Sequence, residues 1–191
     1  MITNRKKRWF QMVAQPQGSI ADGDVFILLG FGLEEDQDGT LRPGLSNQRL
    51  AEWVVANNPN RLPTITQEGT KLALDELESA DPSLDTEHWV INLPHDPHVH
   101  VDTYGAALQI WLLCFNTELT RPVLVTHPYQ SERARLIFSK LPLSEIIVPY
   151  IDPDTVPFTP NSTQRWTRNR YWYFIFEFVM ARPIGRLFGW I

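Results

Sequence analysis

The stretch that most constrains the fold is Arg121 to Leu141, RPVLVTHPYQSERARLIFSKL, where one hydrophobic pattern gives way to another. Val123, Leu124 and Val125 form a short apolar run beside Pro122, the composition of a strand buried on both faces of a parallel sheet. Ala134, Ile137, Phe138 and Leu141 then recur at the spacing of one helix face. A strand passing through a polar turn into a helix is the repeating unit of α/β proteins, and the turn is where such sheets present ligands. Thr126, His127, Tyr129, Gln130, Ser131 and Arg133 occupy that turn and the start of the helix.

The same alternation runs along the chain. Asp24 to Gly30 reads as the first strand, Leu62 to Thr66 as the second, His88 to Leu93 as the third and Glu145 to Tyr150 as the fifth, with Pro149 placing the last at an edge or at its own end. Between them, Ser46 is placed to cap a helix with Leu50, Trp53 and Val54 inward, and Thr70 to cap the helix KLALDELES. Asp102 or Thr103 would cap a third helix, its inward face being Ala107, Leu108, Trp111, Leu112 and Phe115. This order predicts a three-layer α/β sandwich, a mainly parallel five-stranded sheet with helices on both faces and right-handed crossovers. A chain of 191 residues suits one such domain over 21–163, preceded by a basic arm over 1–20 and followed by an aromatic helix over 164–191.

Composition narrows the function classes. With 43% hydrophobic and 20% charged residues the chain is globular in type, and its net charge of -5 lacks the field of a nucleic-acid binder. Arg5, Lys6, Lys7 and Arg8 are not followed by an apolar signal region, and no apolar run reaches the roughly 20 residues of a membrane span. The sole cysteine, Cys114, lies in an apolar helical stretch and reads as a buried structural thiol. These features fit a reducing, cytoplasmic setting.

In the expected sheet the turns after the strands meet at one edge: Gly30-Phe31-Gly32, Glu68-Gly69, Asp102-Thr103 and Thr126 to Arg133. Turns of this kind over helix N-termini make a pocket for an anion or a nucleotide. Gly30 and Gly32 alone are a weak signal, because the third glycine of the dinucleotide pattern is replaced by Glu35. Arg49, expected in the first turn of its helix where a cation is unfavourable, points to an anionic partner or a carboxylate. The acidic loop from Glu34 to Gly44 lacks calcium-loop spacing and reads as a solvated excursion. His95, His98 and His100 beside Asp96 and Asp102 are metal-ligand residue types, with His127 as a converging fourth, but nothing matches HExxH.

The C-terminal region is the least ordinary. Asp152 to Thr163, with Pro153, Pro157 and Pro160, reads as a loop across the surface. Arg165, Arg168 and Arg170 then precede YWYFIFEFVMA, and Arg182-Pro183 should break or kink the helix. Docking onto the core or onto a second copy of the chain is the leading reading of this helix, and contact with a membrane surface is the second.

The motifs LLGFG, SNQRL, DTYGAA and LVTHPYQSERA, in that order, resemble the SanA/YdcF/ElyC-like family, bacterial proteins with a Rossmann-like domain. The resemblance implies pocket roles for Gly30, Gly32, Arg49, Thr103, Thr126, Tyr129 and Arg133, and a link to the cell envelope. Departures are Phe31 within the glycine triplet, Gln67-Glu68-Gly69 for a glycine pair, Gly105-Ala106 for Glu-Asn, and Gln130 for histidine. With Gln130 in that place, His127 or His100 is the remaining candidate for proton transfer. Three functions therefore compete: a binder of, or enzyme acting on, a small anionic, phosphorylated or nucleotide-like ligand; a non-catalytic scaffold at the membrane surface; and a histidine-ligated metalloenzyme. No cofactor follows from any motif.

Overall fold

The computed structural model describes residues 11–84, 87–91 and 103–191. Its main sheet holds four parallel strands: β1 (Val25–Leu28), β4 (Thr64–Thr66), β5 (His88–Val90) and β6 (Pro122–Val125), in the spatial order β5-β4-β1-β6. A separate antiparallel hairpin pairs β2 (Leu33–Glu35) with β3 (Leu41–Pro43).

The helices are α1 (Leu45–Asn57), α2 (Glu68–Ala80), α3 (Thr103–Asn116) and α4 (Pro128–Phe138). Alternation along β1 explains their layering. Phe26 and Leu28 point into a core shared with Leu50, Ala51 and Val54 of α1 and Ala73 and Leu74 of α2. Val25 and Ile27 face the opposite core, with Ala106, Ala107, Ile110 and Cys114 of α3 and Ala134, Ile137 and Phe138 of α4. The chain thus winds outward from β1 over one face and returns over the other, so the strand order reverses between β1 and β6.

Several expectations are corrected. The fifth strand shrinks to one parallel bridge, Ile147 to Val123, held by hydrogen bonds from Ile147 N–H to the Pro122 carbonyl and from Leu124 N–H to the Ile147 carbonyl. Its outer side is taken by Gln17, which pairs antiparallel with Val148, so residues 12–17 strap the sheet edge. The loop expected over Glu34 to Gly44 contains the β2-β3 hairpin, turned by Gly39 at φ 82°. Gly44, not Ser46, is the N-cap of α1, and Gln67, not Thr70, is that of α2. On α3 the buried face is Ala106, Ala107, Ile110 and Cys114, while Leu112 and Phe115 are exposed. A helix apolar on every side carries no phase in its sequence, so periodicity could not choose the face.

The C-terminal helix continues through the proline. It runs as α5 (Arg170–Ile175), a π-helical segment Phe176–Ala181, and α6 (Arg182–Leu187). The Arg182 N–H reaches back five residues to the Glu177 carbonyl. This wider turn directly precedes Pro183, whose ring and missing N–H a regular α-turn accommodates poorly.

Candidate functional site

Two halves of very different chemistry make up the C-terminal edge of the sheet. On the β1 side the chain leaves the sheet through Gly30, Phe31 and Gly32. Their polar groups are already engaged: Gly30 N–H donates to Gln67 Oε1 at 2.7 Å, and Phe31 N–H to Asn47 Oδ1 at 2.7 Å. Asn47 Nδ2 in turn donates to the Gly32 carbonyl at 2.6 Å. The amides of Gly30 and Phe31, beside the glycine turn expected to hold an anion, are thus taken by the starts of α1 and α2. Gly69 allows that approach, because a Cβ there would lie 2.6 Å from Asn47 Nδ2. Gly32 sits at φ 82°, and a Cβ on it would meet Thr167 Oγ1 at 2.8 Å and Ser162 Oγ at 3.0 Å.

Above this turn the space is filled by rings. Phe31 stacks on His127 with centroids 3.9 Å apart, and Phe158 lies against both, 5.7 Å from Phe31 and 4.7 Å from His127. Tyr129 and Tyr173 close the cluster. The segment read as a surface loop delivers Phe158 and buries Val156, Thr159 and Ser162; Thr159 Oγ1 and the Pro157 carbonyl bind Ser46. His127 is fully buried. Its Nδ1 accepts from Tyr129 N–H at 3.3 Å, capping α4. Burial pushes the imidazole down to about 3, opposed only by the Val156 carbonyl, so the ring is neutral at physiological pH. A neutral, ring-stacked, inaccessible imidazole is placed for packing and capping, not for proton transfer to a ligand.

The β6 side is polar. Thr126 Oγ1 donates to Gln130 Oε1 at 3.0 Å, and Gln130 Nε2 donates to Thr103 Oγ1 at 3.3 Å. Arg133 Nη1 donates to the same Thr103 oxygen at 2.6 Å, and its Nε to Glu177 Oε2 at 2.8 Å. Glu177, fully buried, also accepts from Arg182 Nε at 2.9 Å and from the Tyr173 hydroxyl at 3.3 Å. Arg182 continues to the Gln11 carbonyl. Burial works against the Arg133 charge, but Tyr173 and Glu177 outweigh it and hold its pKa above the ordinary value. Burial and the Glu177 carboxylate push the Tyr173 phenol upward, so it stays protonated. Glu177 thus receives ion pairs from two guanidinium groups, those of Arg133 and Arg182.

Of the residues singled out from the sequence, Thr103, Thr126 and Arg133 come together here, with Tyr129 one step away in the aromatic cluster. Arg49 does not join them: it is exposed, lies beyond the first turn of α1 and pairs with Glu52 at 2.7 Å. Glu68 and Gly69 open α2 on the β4 side. Asp102, His95, His98 and His100 lie outside the described residues. Sequence reading assigned no site role to Asn47, Phe158 or Glu177, and marked Phe31 and Gln67 only as departures from a motif and Arg182 only as a helix breaker. Glu177 and Arg182 carried a signal, since two charged residues inside a strongly apolar helix need a partner where they are buried.

Among the described residues one other cluster has metal-ligand chemistry. His88 of β5 places Nε2 3.2 Å from Asp75 Oδ1 and Nδ1 3.5 Å from Glu78 Oε1, both carboxylates belonging to α2. Asp75 already pairs with Lys71, and the contacts of His88 tie the edge strand to the helix. Cys114 is pushed up to about 11 by burial and by Asp24, so its thiol is unreactive at neutral pH. The chain matches no protein-family model, no curated protein and no solved structure.

Proposed function

We propose that this protein binds a small anionic ligand, phosphorylated or nucleotide-like, at the β6 half of the sheet's C-terminal edge. The observation that carries this reading is the Arg133 guanidinium, held at the start of α3 by Thr103 and by the buried Glu177. A guanidinium fixed in place beneath a protein surface favours an anion. Two helix N-termini add to it: Thr103 opens α3 and His127 caps α4. The place agrees with the general rule for open α/β sheets, since the strand order reverses between β1 and β6.

In this reading Arg133 supplies the charge, Thr103 and Gln130 supply polar contacts, and Glu177 with Tyr173 fixes the guanidinium in place. The same reading makes the chain a Rossmann-like, SanA/YdcF/ElyC-like protein working in the cytoplasm on envelope-related chemistry. Binding without catalysis by His127 fits its buried, neutral state.

Titration calorimetry with inorganic phosphate, pyrophosphate and uridine diphosphate tests the proposal. Saturable binding is expected for at least one, weakened tenfold or more by Thr103→Val and unchanged by Arg49→Ala. Absence of binding across the set, or equal binding by Thr103→Val, overturns it.

A further inference from the structure

The C-terminal helix is built inside out. Its core-facing residues include its charged pair, Glu177 and Arg182, together with Tyr173 and Gly185. Its outer residues are apolar and aromatic: Tyr171, Trp172, Val179, Met180, Ile184, Leu187 and Phe188 are all exposed, Leu187 at 80%. The widened turn at Phe176–Ala181 carries these residues across the proline, so the face runs the length of the helix. A soluble surface seldom leaves so long an apolar strip uncovered.

Charge says what covers it. The segment from Gln164 to Ile191 carries Arg165, Arg168, Arg170, Arg182 and Arg186 against Glu177 alone, a net +4. The chain as a whole is at -5, so the remaining residues carry -9. Arg165, Arg168 and Arg170 are exposed at the start of the helix and form no ion pair with any described residue, although Arg168 donates to the Ser162 carbonyl at 2.7 Å and Arg170 lies 4.9 Å over the Tyr129 ring. A second copy of the chain would bring its own +4 segment against this one, whereas an anionic bilayer offers both an apolar layer for the rings and phosphates for the arginines. Trp172 and Tyr171, amphipathic rings at the arginine-bearing end, suit the headgroup level. No helix among the described residues is long and apolar enough to cross a membrane, so the helix would lie in the plane of the surface.

We propose that the exposed face of the Tyr171 to Phe188 helix docks the protein onto an anionic lipid surface. Flotation of the full chain with phosphatidylcholine vesicles containing 30% phosphatidylglycerol, against pure phosphatidylcholine, tests it. The protein should float with the anionic vesicles and at least tenfold less with the neutral ones. Val179→Ser with Leu187→Ser should lower flotation at least tenfold while the melting temperature is unchanged, because both side chains point to solvent. Arg165→Gln with Arg170→Gln should remove the preference for anionic lipid. Failure to float, or flotation indifferent to the serine pair, overturns the proposal. So does lipid-free dimerisation in analytical ultracentrifugation that the serine pair abolishes, since the face would then belong to a second copy.

Discussion

At Gly32 and Gly39 two glycines share φ 82°, yet they do different jobs. Gly39 turns the β2-β3 hairpin in open space, its added Cβ meeting only Glu35 Oε1 at 3.6 Å. Gly32 is pressed against Thr167 and Ser162. Replacing Gly39 by alanine should cost only the left-handed backbone penalty, about 1 to 2 kcal/mol, whereas Gly32→Ala should cost clearly more because the 159–167 loop must also move. Urea midpoints of the two variants check this, and equal losses would mean that the contact at Gly32 is slack.

His127 makes a second single-residue prediction. Its folded pKa near 3 lies below the ordinary 6.5, so the unfolded chain binds more protons between those values. Stability should therefore fall as pH drops from about 6.5 toward 3, by up to about 1.4 kcal/mol per pH unit from this residue. His127→Asn, which can still accept from the Tyr129 N–H, should lower stability overall but flatten this part of the pH profile. Denaturation at several pH values measures the slope; an unchanged slope contradicts the assignment. The sequence marked His127 as a site residue because of the turn it occupies. That it is walled in by Phe31 and Phe158 depends on chain segments 96 and 31 positions away, which no local pattern carries.

At the scale of elements, helix α4 meets the C-terminal helix through Glu177. Glu177→Gln removes the carboxylate from between two buried guanidinium groups and should destabilise the protein by about 3 to 5 kcal/mol, read as a lowered urea midpoint. A loss under about 1 kcal/mol would show that the two arginines do not need it. The four parallel strands were legible because short apolar runs bounded by polar turns are strong signals. The fifth was not, since Ile146 to Val148 has strand composition but only one residue bridges the sheet before Pro149. The hairpin was hidden by its acidic, turn-forming residues, which outweigh three-residue strands in any pattern. The C-terminal helix was legible as a helix; the π-turn that carries it past Pro183 was not, because a proline inside an apolar run reads as a break or kink and not as a widened turn.

For the molecule as a whole, sequence order alone anticipated that the turns after β1 and β6 meet at one edge of the sheet, because parallel strands send all their following turns to one side. It could not divide that edge. Gly30 and Phe31 bind Gln67 and Asn47, the rings fill the β1 half, and the polar side chains of Thr103, Gln130 and Arg133 gather on the β6 half. With the helix starting at Leu45, Arg49 lies beyond the first turn, and of the two partners expected for it the carboxylate is the one found, Glu52. The charged pair under the aromatic helix connects the two surfaces proposed here, since Glu177 orients Arg133 from the helix whose opposite face would meet lipid.

The central claim is that an anion binds at Arg133. Proton-nitrogen NMR of the arginine Nε–H groups follows it directly, because the Arg133 Nε–H is held to Glu177 at 2.8 Å. Titration with pyrophosphate or uridine diphosphate should shift the Arg133 resonance saturably and leave Arg49 where it was. Shifts confined to Arg49 and the other exposed arginines, with Arg133 unmoved, would contradict the account.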